Sequence, residues 1–427
     1  MNVAQHFEAI TKSLKENLLC FVPEANQWWH HADGKWVPAQ DFADRLVQDY
    51  ALEHFPDRLP GRFVREALAY AGAEESLRKS IEHFDSADGY VNTPSGGIRL
   101  ADCSQLNPKH PWPFTMSLAA TPSIYGEGSD WGLFLEQAVP DAETRRWLQL
   151  WAGSLLSGST EHHALVFIYG PGGTGKSVFA EVLRYALGDY ACVLPPEALM
   201  GQRGADGAYY RATLKGKRLA IVNETGEGDY WNAPQVKSLT GGDTVLARNP
   251  YGRPFSFQPT HKLLVVSNDP PHLSKVDEAW RRRMVVIPFL TKPSRVDPGL
   301  KARLEASASE VVGWAVRGWM DLQATESRNL LAERPEAILE ATDAYLEEVD
   351  TVGEWLDECT EPDSTSSCTP RVVHASFRAY CESMGKRAKS WPNLRHDLAG
   401  RGYPTRKTNG MRLVFGIRVT PSVPDWT

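Results

Sequence analysis

Residues 165–187, LVFIYGPGGTGKSVFAEVLRYAL, combine a short apolar run, a glycine-rich turn and an amphipathic segment. The apolar run is rich in β-branched and aromatic residues and predicts a buried strand, and the periodicity after the turn predicts a helix. Glycines between a strand and a helix allow backbone N–H groups to surround phosphate oxygens at the helix N-terminus. The segment therefore predicts an α/β fold with a nucleotide-phosphate site at the end of a strand.

The glycine-rich turn fits the phosphate-loop pattern G-x-x-x-x-G-K-[ST]. Lys176 is expected to reach the β- and γ-phosphates of ATP, and Ser177 is expected to bind Mg²⁺. A glycine-rich turn without a ligand is the alternative, and the flanking strand and helix argue against it. The predicted nucleotide-binding residues are Gly170, Pro171, Gly172, Gly173, Thr174, Gly175, Lys176 and Ser177.

Two further apolar runs predict strands that end next to polar residues. The run RLAIV is followed by Glu224 and Glu227, and a carboxylate there can hold Mg²⁺ or orient the attacking water. The run KLLVV leads to Asn268, whose amide can contact the γ-phosphate or that water. A glutamate-rich surface turn and a plain Asn-Asp-Pro-Pro turn are the alternatives. We predict catalytic roles for all three residues, with Glu224 also as a Mg²⁺ ligand.

Three consecutive arginines, Arg281 to Arg283, precede a fourth apolar run. Arginines at such a position can stabilise the charge on ATP bound to a neighbouring subunit. A basic surface cluster without a catalytic role is the alternative. Arg282 and Arg283 are the candidate catalytic arginines.

The length and composition are those of a globular protein. The 427 residues allow about two to four domains, and 42% of them are hydrophobic. No apolar run approaches the roughly 20 residues that span a bilayer, and the N-terminus lacks the apolar core of a signal peptide. The six cysteines are scattered, without the spacing of a zinc site. We therefore expect a cytoplasmic protein that does not associate with membranes.

A hairpin is predicted directly before the third core strand. The segments DTVLAR and PFSFQP predict two strands, and NPYGRP between them predicts a turn. Lys237, Arg248, Tyr251 and Arg253 would present cationic groups and a stacking face to single-stranded DNA. An ordinary hairpin with an exposed tyrosine is the alternative.

The net charge of −7 is unevenly distributed. Residues 333–363 are strongly acidic, whereas residues 371–427 carry eleven Lys and Arg against three Asp and Glu. Two helices followed by a hairpin with an Asn-Gly turn are typical of a winged helix. Arg395 would lie on the second helix, with Arg406 and Lys407 in the wing, where they could contact DNA phosphates. A wing that binds protein is the alternative.

The motifs GPGGTGKS, KRLAIVNETGEG, VKSLTGGDTVLAR, LLVVSNDPP and RRRMVVIPF, taken in order, resemble the superfamily 3 DNA helicases. They are most similar to the helicase half of phage and plasmid primase–helicases and their poxvirus relatives. The resemblance implies an AAA+-like core in a ring, typically a hexamer, that moves from 3′ to 5′ along single-stranded DNA. It also implies that the hairpin projects into the ring's pore.

The resemblance assigns roles to the polar residues at the strand ends. It implies that Glu224 and Glu227 form the acidic Walker B site, that Asn268 is a sensor of the nucleotide, and that Arg282 or Arg283 is the arginine finger. Because NETGEG carries glycine where relatives often carry another acid, the choice of base between the two glutamates stays open. The three adjacent arginines likewise leave the finger open between two positions.

The predicted fold is α/β, with an AAA+-like P-loop core containing a parallel sheet, a mostly helical N-terminal domain and a C-terminal winged-helix module. The predicted domains are an N-terminal helical and hairpin domain (1–150), an ATPase core (151–295), a helical acidic connector (296–363) and a winged-helix-like DNA-binding domain (364–427), with 364–370 as a linker or loop.

The predicted function is an ATP-dependent ring helicase of a phage, plasmid or other mobile element. It would unwind forked DNA during replication in the bacterial cytoplasm, with primer synthesis either by a separate primase or polymerase or absent. A DNA-binding initiator or scaffold that uses ATP as an assembly switch is the alternative. A small-molecule kinase fits poorly, because no second substrate site is visible in the sequence.

Overall fold

The computed structural model describes most of the chain. The described residues are 2–56, 61–85, 89–108, 110–123, 128–200, 205–223, 230–248, 254–268, 272–273, 278–384, 388–408 and 410–420. In this part of the chain, every helix is too short or too polar to cross a bilayer.

The N-terminal region packs helices against a three-stranded antiparallel sheet. Its elements are α1 (Val3–Glu16), β1 (Leu19–Val22), β2 (Gln27–Ala32), β3 (Lys35–Pro38), α2 (Gln40–His54) and α3 (Gly61–Ala73). An Asp-Gly pair between two apolar segments predicts a two-residue hairpin turn, and Asp33 and Gly34 both have the positive φ that such a turn requires. Leu14, Trp28 and Val47 lie in the core between the sheet and the helices.

A second hairpin and two helices lead to the central sheet. They are β4 (Tyr90–Thr93), β5 (Gly96–Arg99), α4 (Asp130–Ala138) and α5 (Ala142–Ser157), which follow two short 3₁₀ turns, Glu75–Leu77 and Ile81–His83. Strands β4 and β5 pair as an antiparallel hairpin, and Pro140 lies between α4 and α5. The described residues of the predicted mostly helical N-terminal domain thus include five strands as well.

The central region alternates strands and helices. Its elements are β6 (Leu165–Tyr169), α6 (Lys176–Leu187), β7 (Ala191–Leu194), α7 (Glu197–Met200), α8 (Ala205–Ala212), β8 (Leu219–Asn223), β9 (Tyr230–Trp231), α9 (Ala233–Thr240), β10 (Val245–Arg248), β11 (Pro254–Phe257), β12 (Lys262–Ser267), β13 (His272–Leu273), α10 (Glu278–Arg283) and β14 (Met284–Pro288).

Five of these strands form one parallel sheet in the order β14-β6-β12-β8-β7. In β14, β6, β12 and β8 the side chains are buried on both faces, as expected for a parallel sheet covered by helices, whereas the edge strand β7 is partly exposed. The predicted α/β core with a parallel sheet is confirmed. The strand order places β12 between β6, which precedes the phosphate loop, and β8, which precedes the acidic segment.

Three helices after the sheet cover it: α11 (Leu300–Ala306), α12 (Ala308–Ala324) and α13 (Glu336–Glu348). Helices α5 and α12 cross with backbone in contact, since a β-carbon at Gly153 would lie 2.1 Å from the backbone N of Trp319. Helix α13 covers the edge strand β14, and the Thr342 hydroxyl accepts a hydrogen bond from Val286 N at 3.1 Å. Helix α5 therefore belongs to the same packed core as the sheet, although it spans the boundary predicted at residue 150.

The C-terminal region has its own hydrophobic core. Its elements are α14 (Thr351–Cys359), β15 (Thr360–Cys368), α15 (Pro370–Ser383), α16 (Trp391–Gly400), β16 (Thr405–Thr408) and β17 (Met411–Val419). The strands form an antiparallel sheet in the order β15-β17-β16. The predicted linker or loop at 364–370 is wrong for residues 364–368, which are part of β15: Ser367 and Cys368 pair with Phe415 and Val414 of β17, and residues 364–366 lie at a shift in the strand register. The core begins with Val352 and Trp355 of α14, within the segment predicted as a connector.

Candidate nucleotide and DNA sites

The phosphate loop has the predicted strand–loop–helix geometry. Strand β6 ends at Tyr169 and α6 begins at Lys176. Gly170, Gly173 and Gly175 all have positive φ, a conformation that favours glycine. A β-carbon at Gly170 would lie 2.1 Å from the carbonyl oxygen of Phe289, so no other residue fits there without displacing the strand beside it.

The lysine of the loop is buried against loop carbonyls. Lys176 Nζ donates to Gly170 O at 2.6 Å and to Pro171 O at 2.9 Å, and the Thr174 hydroxyl donates to Pro171 O at 3.0 Å. Ser177 is exposed in the first turn of α6. Gly175 has no side chain to cap the helix, so the first-turn N–H groups can donate hydrogen bonds to an anion. The loop combines the elements that bind a phosphate.

The carboxyl ends of β6, β12 and β8 lie together at one end of the sheet, next to the phosphate loop. Ser267, the last residue of β12, pairs with Tyr169, the last residue of β6. Asn268 and Gly170 are the next residues, so they follow the ends of two neighbouring strands that lie about 5 Å apart. Asn268 is exposed at this end. Strand β8 ends at Asn223, and the predicted catalytic residues Glu224 and Glu227 follow it, outside the described residues. The structure thus brings Asn268 beside the phosphate loop.

The arginine cluster lies at the opposite end of the strands, next to the amino end of β14. Helix α10 runs directly into β14, and Met284 of β14 pairs with Leu165, the first residue of β6. The length of β6 therefore separates Arg283 from the loop of its own chain by about 13 Å or more. The Arg282 guanidinium faces Glu278 at 3.1 Å, and Arg281 faces Asp343 at 3.9 Å. The Arg282 side chain thus pairs within its own helix, and the backbone of both candidate fingers lies at the far end of β6 from the phosphate loop of its own chain.

The predicted hairpin before β12 is confirmed. Strands β10 and β11 pair antiparallel, with Val245 opposite Phe257 and Arg248 opposite Pro254. Val245 is buried, whereas Leu246 and Arg248 are exposed on the other face. Lys237 lies half-buried on α9, which leads into the hairpin. Tyr251 and Arg253 belong to the turn and lie outside the described residues.

Some of the basic residues of the C-terminal region are already paired within the fold. Lys389 contacts buried Asp397 at 2.7 Å, Arg401 contacts Asp350 at 2.5 Å and Arg418 contacts Asp363 at 2.6 Å. Sequence reasoning missed these pairs, because the acids of the last two lie far away in the acidic segment. Arg395, Arg406 and Lys407, the candidate DNA contacts, are exposed.

Sequence reasoning also missed a buried cationic cluster at the amino edge of the sheet. Lys262, the first residue of β12, is 3% exposed and donates to Ser154 O at 2.9 Å and Ser159 O at 2.6 Å. These carbonyls lie at the C-terminal end of α5, where cations are favourable. Arg218 is buried nearby, and a β-carbon at Gly158 would overlap its guanidinium. A lysine that opens an apolar strand was the available signal.

The buried lysine predicts a pH-dependent stability. Burial, with the nearby Arg218 charge, lowers the pKa of Lys262 from 10.5 to about 7. Between these values the unfolded chain binds a proton that the folded chain has released, so this group raises the free energy of unfolding as pH rises, by at most about 1.4 kcal/mol per pH unit.

Denaturant unfolding at pH 7 and pH 9 checks this expectation. When the pH is raised from 7 to 9, the free energy of unfolding of the natural chain should increase relative to that of the Lys262→Met variant. Equal differences at the two pH values would contradict the assignment.

Comparison with known proteins finds relatives of the central region and of most of the chain. A family model described as DUF5906, a family of unknown function, matches residues 168–283. The putative helicase 022R of Frog virus 3 is 25% identical over 344 residues, which cover 76% of this chain. A putative helicase of Acanthamoeba polyphaga mimivirus is 32% identical over 161 residues, which cover 37% of this chain. A putative primase of African swine fever virus is 24% identical over 183 residues, which cover 42% of this chain.

The chain is thus related to viral putative helicases and primases, and the relationship predicted from the sequence motifs is confirmed. It spans 33% of the length of the Frog virus 3 protein and 17% of the mimivirus and African swine fever virus proteins.

Two solved structures share the fold over nearly the whole chain. The apo structure of the NrS-1 C-terminal region has a TM-score of 0.55 and 12% identity, and covers 96% of this chain and 98% of that chain. The A form of the same region has a TM-score of 0.52 and 12% identity, and covers 95% and 98%. The likeness extends from the N-terminal region through the C-terminal sheet.

Proposed function

We propose that the chain is an ATP-dependent DNA helicase that assembles as a ring, with ATP and Mg²⁺ bound at the phosphate loop. The observation that carries this proposal is the position of Asn268 beside the loop at one end of the sheet, with the arginine cluster at the other end. The relatives named as putative helicases support a motor over other phosphate-loop enzymes.

The separation of the arginines from the loop favours a site shared between subunits. A guanidinium needs hydrogen-bond distance to stabilise the γ-phosphoryl charge, and the length of β6 prevents this within one chain. We take the ring to be a hexamer. In a closed ring, the arginine cluster of one copy would lie against the phosphate loop of the next copy. Hydrolysis would then require assembly.

A mixing experiment tests the shared site. The Lys176→Ala variant and the Arg282→Ala/Arg283→Ala variant should each be inactive alone. Mixed one to one, they should recover about a quarter of the natural rate, because one interface in four joins an intact loop to intact arginines.

The adjacent arginine provides the matched control. Arg281 faces Asp343 of its own chain, so Arg281→Ala should lower the rate far less than the double variant. A mixture without any recovered ATP hydrolysis would contradict a composite site.

The hairpin of β10 and β11 is the proposed contact with single-stranded DNA. Arg248 is exposed on its outer face, and Lys237 lies on the helix leading to it. Arg248→Ala should lower the stimulation of ATP hydrolysis by single-stranded DNA about tenfold, since one phosphate contact is lost from each subunit. Titration of the rate with oligonucleotide measures this, and an unchanged stimulation would remove the hairpin from the DNA path.

The C-terminal region is proposed to be a winged-helix module that binds duplex DNA. The order helix, strand, helix, helix and two strands, with the sheet order β15-β17-β16, supports this class. Arg395 on α16, together with Arg406 and Lys407 on β16, would contact phosphates. The proposed role of the whole protein is fork unwinding during the replication of a mobile element, with a separate primase or polymerase as partner.

A further inference from the structure

The last two strands form a ribbon that extends beyond the C-terminal sheet. Strand β15 pairs with β17 only as far as Val414, which lies opposite Cys368. Beyond it, β16 and β17 pair only with one another among the described residues, in the register 406–413, 407–412 and 408–411. Three residue pairs extend this ribbon, the terminal hairpin, by about 10 Å.

The register gives the two faces of the terminal hairpin different chemistry. Side chains of directly opposed residues share a face, and successive pairs alternate between faces. Lys407 and Arg412 are opposed and form a purely cationic face. The other face carries Met411 opposite Thr408 at the tip and half-exposed Leu413 opposite exposed Arg406 behind them. A purely cationic face thus lies behind a face that is uncharged at its tip and carries Arg406 farther back.

Both faces are available to a partner in the folded chain. Met411 is 61% exposed, and Lys407 and Arg412 are also exposed and form no ion pair with the described residues. Farther back on the same unit, Arg401 and Arg418 are neutralised by acids. Residues 398–420 contain no Asp or Glu, so the positive charge of the hairpin is not offset locally. The charge is therefore complementary to an anion.

We propose that the terminal hairpin engages the junction of a DNA fork. Lys407 and Arg412 hold backbone phosphates of the duplex, and Met411 packs against the last base pair. The interior of a duplex offers phosphates but no free base-pair face, whereas a junction offers both within the width of one hairpin. Apolar side chains, methionine among them, are known to insert at base steps in this manner. The inference rests on the proposed DNA-unwinding function and specifies which DNA structure the C-terminal region recognises.

The test uses the full chain and a forked duplex with 2-aminopurine at the junction. The natural protein should raise the junction fluorescence, because Met411 takes the place of the base next to the last base pair and leaves that base unstacked, and a probe in the middle of the duplex should respond far less. Met411→Ala should abolish the junction signal and weaken fork binding about fivefold, with an unchanged salt dependence. Lys407→Ala/Arg412→Ala should weaken binding to fork and duplex alike, with a salt slope smaller by about 2.

Two control variants lie in the same C-terminal unit. Met384 is 51% exposed at the end of α15, and Met384→Ala should keep the junction signal. Arg371 and Arg378 are exposed on α15, and their double alanine variant should keep the fork preference. Circular dichroism of each variant checks that the fold is retained.

Three outcomes would overturn the proposal. A junction signal that persists in Met411→Ala would leave the hairpin as a phosphate contact only. Unchanged affinity and salt slope in the cationic double variant would exclude DNA as its ligand and point to a protein partner. A natural chain that hydrolyses ATP in response to single-stranded DNA but gives no junction signal would refute the fork contact while retaining the helicase. Absent DNA-dependent hydrolysis would refute the helicase itself.

Discussion

Replacement of Lys176 by alanine should lower the steady-state rate of ATP hydrolysis at least about a hundredfold. The Lys176 ammonium lies within the phosphate loop, donating to Gly170 O and Pro171 O, and its charge is the group expected to stabilise the transferring phosphoryl. Measurement of phosphate release at saturating ATP gives the rate. A variant that keeps more than about a tenth of the natural rate would contradict the assignment.

Two further variants separate a catalytic loss from a folding loss. Because Lys176 is buried, its removal could also disturb the loop. Ser177 is exposed, so Ser177→Ala should leave the melting temperature unchanged and weaken the response of the rate to Mg²⁺. Lys301, half-exposed on α11, faces Glu181 and Glu305 and provides a lysine control whose replacement should retain hydrolysis.

Replacement of Gly153 by alanine should lower the free energy of unfolding by about 3 kcal/mol or more, because the added β-carbon meets backbone that cannot move independently. It would lie 2.1 Å from Trp319 N, and the reciprocal change at Gly318 would place a β-carbon 1.9 Å from Gln149 O. Helices α5 and α12 would have to separate, and with them the layer that covers one face of the sheet. Differential scanning calorimetry should show a melting temperature at least about 5 °C lower.

A helical glycine without close neighbours provides the control. A β-carbon at Gly61, the first residue of α3, would meet nothing within 4 Å. Gly61→Ala should therefore be neutral or slightly stabilising, because alanine loses less backbone entropy on folding. A melting temperature of Gly153→Ala equal to that of Gly61→Ala would contradict the close helix crossing.

Sequence patterns predicted those elements whose signal is local. The phosphate loop carries its own strand, glycines and helix within 23 consecutive residues, and the structure has all three. The Asp33-Gly34 turn likewise contains the residues that its positive φ values require. Asn268 could be placed beside the loop because the carboxyl ends of parallel strands meet at one edge.

The features that the sequence patterns did not predict depend on contacts between residues that lie far apart in the chain. STSSC has the polar composition of a loop, yet it lies in β15, because β17, about 50 residues later, pairs with Ser367 and Cys368 and with the residues before the segment. Helix α14 looked like part of an acidic connector, whereas Trp355 anchors the C-terminal core. Lys262 appeared to be an ordinary charged strand start, and only the fold brings it to the carbonyls of α5.

Strand displacement on a forked duplex tests the central claim most directly. The natural chain should release the labelled strand only with ATP and Mg²⁺, and Lys176→Ala should release none above the background. ATP-dependent displacement lost in that variant is the result we predict. Tight fork binding without displacement, with hydrolysis indifferent to DNA, would contradict the motor and favour an initiator or scaffold that uses ATP for assembly.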